Sequence, residues 1–387
     1  MTTPTELRVI TESHGHDLKY VQTVIQTFEA ARPDVKVVLV RAEDSYSVLE
    51  QFHQDGADLL HIREGAYSTQ MRKGVVRDLL PYLKNDPAMV IDDFYQGALS
   101  HPMWEGQLAA LPVVDAAVPL IFYNKKRFAE AGVPFPENGW TDAQFLDAAI
   151  RLTRLEEHPE DSRYGFYIYP DVEFLEPFLM RRGGRHLSED GSVSKGYTDS
   201  EITHSTYRWI VDLYQKHRVA PLPGVRFENV FRSNRCAMIY DFSWYIGGVA
   251  HDPELSETYG IVGLPHARNG VDIYMMYSTG YGIPAMSKQP ELAWELLKAL
   301  AIPSSVEAKR AYWGLPITRT LAKELGRTDN PWWGPALYAM ERIEKNAYLS
   351  NQVWNLSRQQ INLDIEAMMK GEAEVQETLA RWAEIVS

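Results

Sequence analysis

The histidines and acids of this 387-residue chain could bind a metal or move protons, but their spacing matches no common motif. His14 and His16 form the closest histidine pair, and an i, i+2 pair holds a metal only with a third nearby ligand. Adjacent acids such as Asp92 and Asp93 point apart in regular structure, which indicates a solvated surface. The sequence has no glycine-rich nucleotide loop, no nucleophile elbow and no His-Glu-x-x-His motif. It therefore predicts no metal, cofactor or catalytic residue, although glycosidase carboxylates have no short signature.

The charge balance argues against several classes of partner. Asp and Glu number 52 and Lys and Arg 39, which gives a net charge of −13. Such a surface repels a phosphate backbone and anionic lipid, which makes nucleic acids and membranes poor first guesses for a partner. No apolar run approaches the roughly 20 residues that span a bilayer. The first residues lack the features of a signal peptide, which predicts a cytosolic protein or one whose leader has been removed.

Strand and helix patterns alternate in the first 62 residues. Apolar runs at 7–10, 35–40 and 57–62 predict strands, and the spacing of apolar residues predicts helices at 18–30 and 47–54. This order is typical of a parallel sheet with crossover helices, in an α/β fold. Ligands of such sheets bind beyond the carboxyl ends of the strands. The polar loops that follow the first and third predicted strands, 11–17 and 63–65, are therefore candidate binding loops.

Later segments predict further elements. Strands are expected at 164–169, 259–264 and 281–284, the last two returning to the first half of the chain. Helices are expected at 200–217 and 290–301, and most of the last ~75 residues should be helical.

Short segments along nearly the whole chain occur in an order that is specific, although each is weak alone. They include Asp58-Leu-Leu-His-Ile62, Gly74 to Leu83, Gly106 to Pro112, Phe122-Tyr-Asn-Lys125, Trp140 to Phe145, Gly183-Gly184, Cys236 to Trp244, Gly280 to Ile283, Ser287 to Pro290 and Gly314-Leu-Pro316. This order resembles the family 1 extracellular solute-binding proteins of ABC importers, the group that includes maltose-binding protein.

The resemblance implies an α/β, two-lobed class II periplasmic-binding-protein fold with three interlobe crossings. The crossings are expected near 112–119, 259–265 and 302–313. Lobe I would then comprise 1–112 and 265–302, and lobe II 113–264 and 303–387.

The resemblance also implies a function. It predicts a substrate-binding component of an ABC importer that captures a mono- or oligosaccharide in an interlobe cleft by hinge closure. Such a protein is not an enzyme, is a monomer and meets ABC permease subunits. It works outside the cytoplasmic membrane, either free in the periplasm or as a lipoprotein.

Aromatic rings suit the C–H faces of a sugar, and charged groups suit its hydroxyls. Trp244 ends the element that resembles the place where the family stacks a ring, and a core position is its alternative. Its neighbour Tyr245 is equally well explained as a binding-site residue and as a packing residue. Trp313 precedes the Gly-Leu-Pro segment at the third expected crossing, and Trp354 lies near where the family contributes an aromatic residue.

The polar candidates come from the same resemblance. Glu12 and His14 follow the first predicted strand, and Arg63 and Glu64 follow the third. Asp115 opens the first crossing and could face the cleft, or it could be a solvated hinge acid. Asp241 could anchor a hydroxyl or cap the backbone, and Arg319 could contact the ligand or pair with a surface acid. The remaining candidates are Asp171 and Glu173 after the strand at 164–169, and Tyr277, Ser278 and Tyr281 around a glycine strand.

Other functions stay open at this point. The same fold could bind a glycerol phosphodiester, because the guanidinium groups of Arg63 and Arg319 suit phosphate. A carbohydrate-active enzyme that uses the same acids is a second alternative, and a scaffold protein without a small ligand is a third.

Overall fold

The computed structural model describes residues 3–158, 160–225 and 227–387, and of residue 115 it describes the backbone alone. Two compact units are each built from two stretches of chain: Met1–Ala117 with Met276–Asn330, and Val118–Met275 with Pro331–Ser387.

The strands of the described residues are β1 (Thr5–Thr11), β2 (Val35–Arg41), β3 (Leu59–Arg63), β4 (Met103–Trp104), β5 (Gln107–Leu108), β6 (Leu111–Ala117), β7 (Pro119–Asn124), β8 (Tyr164–Tyr167), β9 (Cys236–Phe242), β10 (Tyr259–Val262) and β11 (Tyr277–Gly282). The α-helices are α1 (Gly15–Ala31), α2 (Ser45–Asp55), α3 (Tyr67–Arg72), α4 (Leu80–Asn85), α5 (Gln96–Ser100), α6 (Lys125–Glu130), α7 (Asp142–Leu152), α8 (Val172–Arg181), α9 (Glu201–Gln215), α10 (Tyr245–Ala250), α11 (Pro253–Thr258), α12 (Pro290–Ala301), α13 (Val306–Ala311), α14 (Arg319–Glu324), α15 (Gly334–Met340), α16 (Ala347–Ser350), α17 (Gln352–Lys370) and α18 (Val375–Trp382). Short 3-10 helices cover Glu64–Ala66 and Ile91–Asp93.

The sheet of the first unit has the strand order β2-β1-β3-β11-β6. β1 is parallel to β2 and β3, which confirms the predicted β-α-β-α-β start, and β11 is antiparallel to β3 and β6. Leu7, Val9 and Ile10 are buried in β1, and α1 buries Val21 and Val24 on one face. Because β1 and β3 are parallel neighbours, the loops that follow them lie at the same edge of the sheet.

One glycine of the first unit is required by a close approach of the backbone. Val114 in β6 has a φ of 50°, which is unusual for a β-branched residue. A Cβ atom at Gly314 would lie 1.4 Å from the carbonyl oxygen of Val114. Only glycine lets these two segments pass each other.

The sheet of the second unit has the order β10-β7-β9-β8. β7 is antiparallel to β10 and β9, and β8 is parallel to β9. The strand predicted at 259–264 is β10, and its pairing with β7 confirms the predicted return to the first half of the chain. Tyr259 decides the pairing, since it is fully buried opposite Asn124 and its hydroxyl donates to the carbonyl of Phe231 at 2.7 Å.

The limits of the units differ from those of the predicted lobes. Residues 303–330 belong to the first unit, where the ring of Tyr312 lies edge-on against Tyr20 of α1, with centroids 5.3 Å apart. Residues 265–275 belong to the second unit, where Tyr274 lies under the guanidinium of Arg181. The division into lobes and the number of crossings between them stay predictions.

Candidate functional site

Glu12 and Arg63 come together at the carboxyl ends of β1 and β3. Arg63 Nε donates to Glu12 Oε1, and Ser45 Oγ donates to Glu12 Oε2 at 2.8 Å. The Glu12 side chain is 4% exposed and that of Arg63 is 53% exposed. His61 Nδ1 lies 3.6 Å from Glu12 Oε1, and burial lowers the pKa of His61 to about 4, so this ring is neutral at pH 7. The result is a buried carboxylate beneath a half-exposed guanidinium.

The other candidates after these strands lie close by. His14 is exposed, and its Nδ1 is 3.4 Å from the carbonyl oxygen of Glu12. Glu64 is half-buried and begins a short 3-10 helix. The sequence therefore located this polar edge correctly as a structural feature, while its contact with a ligand stays a prediction.

Two of the candidates on β11 make hydrogen bonds to other residues of the first unit. Tyr281 is buried, its hydroxyl lies 2.6 Å from Thr11 Oγ1, and burial raises its pKa to about 12. Ser278 is buried, with its Oγ 2.9 Å from His101 Nδ1. Tyr277, at the start of the strand, is half-buried. Tyr281 and Ser278 thus tie β11 to neighbouring segments of the same unit.

Trp313 and Arg319 also have partners in the first unit. Trp313 is half-buried, and its Nε1–H donates to Asp17 Oδ1 at 3.0 Å. The Arg319 guanidinium donates to the backbone carbonyls of Asp92 and Phe94 at 2.7 and 2.8 Å. Arg319 therefore stabilises the backbone before α5.

In the second unit, Asp171 and Glu173 are joined by Arg358 of α17. Asp171 caps α8, since its Oδ1 accepts from the Glu173 backbone N–H at 2.9 Å. Its Oδ2 accepts from Arg358 and from Asn362 Nδ2 at 2.8 and 2.7 Å. Glu173, with a side chain that is 2% exposed, pairs with Arg358 at 2.6 Å. Asp171 thus connects α8 to α17 by charge-assisted hydrogen bonds, and Glu173 connects them by an ion pair.

Asp241 and Trp244 form a second polar contact, at the end of β9. Asp241 is 1% exposed, and its Oδ1 accepts from the Phe242 backbone N–H at 2.7 Å and from Trp244 Nε1–H at 3.0 Å. Burial raises the pKa of Asp241 to about 7, against the opposing effect of these two donors. The half-buried Trp244 ring packs on Phe242, with centroids 4.7 Å apart and planes 30° apart. Tyr245 is 40% exposed and contacts the ring of Phe231.

Trp354 lies in the core of the second unit. It is 1% exposed, stacks on His186 at 4.9 Å and meets Trp382 edge-on. A sugar-stacking ring needs an open face, and the faces of Trp354 are packed against protein. The structure therefore places Trp354 in the core. The side chain of Asp115 lies outside the described residues.

Sequence reasoning did not select Asp17, Phe242 and Arg358. Asp17 lies in the polar loop at 11–17, so its place in that candidate binding loop could have identified it. Arg358 lies one helical turn after Trp354, but nothing local shows that its acids are more than 180 residues away. Phe242 belongs to the apolar run of β9, where an aromatic residue ordinarily means core packing.

Comparisons with solved structures show what fold the chain has. The sugar-binding protein MalE from Xanthomonas citri is 18% identical with a TM-score of 0.83, and the match covers 99% of this chain and 97% of MalE. The GacH receptor of Streptomyces glaucescens, solved unliganded and with acarbose, is 19% identical with a TM-score of 0.78, covering 99% and 97%. Protein Lmo0181 from Listeria monocytogenes, in complex with cycloalternan, is 18% identical with a TM-score of 0.78, covering 99% and 98%. These matches show the α/β fold of the solute-binding proteins.

Sequence comparisons show the family. No protein with a curated description matches the chain significantly. Among the described residues, no helix is long and apolar enough to cross a bilayer. The family model for the bacterial extracellular solute-binding protein matches residues 13–305, and since this is most of the chain, the chain belongs to that family.

Proposed function

We propose that this protein is the substrate-binding component of an ABC importer and that its ligand is a saccharide. The observation that carries the proposal is Trp244, a half-buried ring whose edge is bonded to Asp241 and whose one face is packed on Phe242. A half-buried indole, with part of its surface exposed, suits the C–H face of a sugar ring. Solved relatives with acarbose and cycloalternan support the same ligand class.

Capture would be a population shift. The ligand stabilises a closed arrangement of the two predicted lobes by as much as it binds that arrangement more tightly. A micromolar dissociation constant corresponds to about −8 kcal/mol, which a stacked ring and several charge-assisted hydrogen bonds can supply. The permease subunits of the importer are the proposed partners, the receptor is a monomer, and its place is outside the cytoplasmic membrane, as for the family.

Binding without bond cleavage is favoured by the partners of the acids. A glycosidase needs one protonated and one ionised carboxyl group on either side of the scissile bond. Glu12 and Glu173 are each paired with an arginine, and Asp171 caps a helix. These partners hold the acids in fixed positions, which suits hydrogen bonds to hydroxyls.

A phosphodiester ligand is less well supported. Arg63 and Arg319 were the cations that suggested it, and both donate to oxygens of the protein itself. The net charge of −13 adds an unfavourable long-range field for an anion.

A thermal-shift panel tests the proposal. It contains maltose, maltotriose, acarbose, cycloalternan, tagatose and two glycerol phosphodiesters. A saccharide at 100 times its dissociation constant should add about 2.7 kcal/mol to the free energy of unfolding, and Tm should rise. Chromatography of the incubated saccharide should return it intact.

Trp244→Ala should abolish the Tm increase, and it should also lower the unliganded Tm, because the buried Asp241 loses a hydrogen-bond donor. Trp332→Ala, at another half-buried tryptophan of the second unit, is the matched control and should keep the increase. A panel in which no saccharide raises Tm, or in which a product appears, contradicts the proposed function.

A further inference from the structure

We propose that Asp241 is a positioning residue that fixes the orientation of the Trp244 ring before a saccharide binds, and that it does not touch the saccharide itself. This inference rests on the proposed function. It differs from the hydroxyl-anchoring role that the sequence suggested for Asp241.

The geometry of the carboxylate supports a role through Trp244. Asp241 is 1% exposed, so a ligand in solvent has almost no access to it. Its Oδ1 accepts two hydrogen bonds, from the backbone of Phe242 and from the indole of Trp244. The first bond fixes the carboxylate on β9, and the second ties the indole edge to that strand.

Phe242 supplies the second restraint on the ring. It is fully buried, and its ring is tilted by 30° against that of Trp244 at a centroid distance of 4.7 Å. One face of the indole is therefore covered by protein. An indole held at its edge and on one face has lost its rotational freedom before binding, which is the usual source of affinity through preorganisation.

The titratable groups that act on Asp241 are the phenols of Tyr240 on the same strand and of Tyr245 at the start of α10. Burial raises the pKa of both, so both are neutral at pH 7. Burial also raises the pKa of Asp241 to about 7. Because a carboxylate is a stronger acceptor than a carboxylic acid, the bond to Trp244 should weaken as the pH falls below 7.

Three variants test the inference, with the panel saccharide of largest Tm increase as the probe. Asp241→Leu removes the acceptor at similar size, Asp241→Asn keeps an acceptor oxygen, and Trp244→Phe keeps a ring without the N–H donor. By calorimetry, Asp241→Leu should weaken Kd about tenfold, the cost of immobilising one large side chain. Asp241→Asn should stay within about twofold of the wild type. In the Trp244→Phe background, Asp241→Leu should add less than about twofold, because the bond is already absent.

A second readout needs no ligand. In ¹⁵N spectra, the indole N–H signal that disappears in Trp244→Phe belongs to Trp244. In the wild type this proton should exchange slowly, and its shift should titrate with a midpoint near pH 7. The titration should vanish in Asp241→Asn, and exchange should become fast in Asp241→Leu.

The outcomes separate the two proposals. If the wild type binds a saccharide and Asp241→Leu binds it equally well, the inference is wrong and the proposed function stands. An equal loss for Asp241→Leu in both backgrounds also overturns the inference, since Asp241 would then act independently of Trp244. If the wild type binds no panel saccharide, the proposed function fails together with the affinity role of Asp241.

Discussion

Both units contain a buried glutamate paired with a more exposed arginine, but they build the pair differently. In the first unit Glu12 and Arg63 come from the ends of two parallel strands of one sheet. In the second unit Glu173 lies in the first turn of α8 and Arg358 on α17. A pair at strand ends follows from the sheet topology alone, whereas a pair between helices depends on how they pack.

A half-buried tryptophan in each unit shows a second difference. Trp313 and Trp244 each donate their indole N–H to an aspartate at 3.0 Å. Asp17 is half-buried in the first turn of α1, while Asp241 is fully buried in β9. Water can replace a lost bond to Asp17, but it cannot reach the position of Asp241. The burial of the acceptor therefore decides how strongly each ring is restrained.

The largest effect should come from removing the arginine of the second unit. Arg358→Ala leaves the Glu173 carboxylate buried without its cation, and the free energy of unfolding should fall by about 3 kcal/mol. Arg63→Ala should cost only about 1 kcal/mol, because Arg63 is largely exposed and Glu12 keeps its bond from Ser45. Urea unfolding at pH 7 measures both.

A variant that removes the charge of the buried glutamate is the control for this prediction. Glu173→Gln in the Arg358→Ala background should recover part of the loss, since no unpaired charge remains buried. Equal costs for the two alanine variants would remove the distinction between strand-end and helix–helix pairs.

A smaller effect is expected at Glu176, a buried acid of α8 that lacks an arginine. Its Oε1 accepts from the Ala347 backbone N–H at 2.9 Å, and within the described residues its Oε2 has no hydrogen-bond partner. Burial is the main reason that its pKa rises to about 8, and the charge of Glu173 adds to the increase. The folded state therefore binds a proton that the unfolded state releases above pH 4.5, and stability falls as the pH rises from about 4.5 to 8.

Glu176→Gln should remove this pH dependence. Relative to the wild type, the variant should gain more than about 1.4 kcal/mol in free energy of unfolding between pH 5 and pH 9, the equivalent of one pKa unit. Urea titrations at both pH values give the difference. If the difference in free energy of unfolding between the variant and the wild type were the same at both pH values, Glu176 would be ionised in the folded protein.

The smallest effect should be that of Asp17→Ala on saccharide affinity. Because water can bond the indole of Trp313 in place of Asp17, Kd should weaken by at most about threefold. Calorimetry with the same saccharide as for Asp241→Leu measures it. A greater loss for Asp17→Ala than for Asp241→Leu would reverse the proposed ranking of the two tryptophans.

Much of the fold was predictable because its signals are local. The alternation of apolar runs located β1, β2 and β3, and Pro290 marked the first residue of α12. The partner of the strand at 259–264 was not predictable, because an apolar run does not say which strand it pairs with. Pairing with β7 depends on the antiparallel register opposite Asn124.

The candidate site was predictable to a lesser extent. The loops after β1 and β3 were found from topology, and Glu12 and Arg63 were among the residues selected there. Trp354 and Trp244 are both single tryptophans beside polar residues in the sequence, yet one is packed against His186 and the other is half-buried. The spacing of residues along a helix or strand does not distinguish a packed tryptophan from a half-buried one.

The amino-acid sequence by itself determined the order of strands and helices and the family, because periodicity, turn residues and short motifs act over a few residues at a time. Only the tertiary structure decided which charges meet and which rings are covered. Glu12 and Arg63 are 51 residues apart, and Asp171 and Arg358 are 187 apart. Their pairing follows from the packing of whole elements, which buries a carboxylate only where a cation or an N–H donor arrives with it.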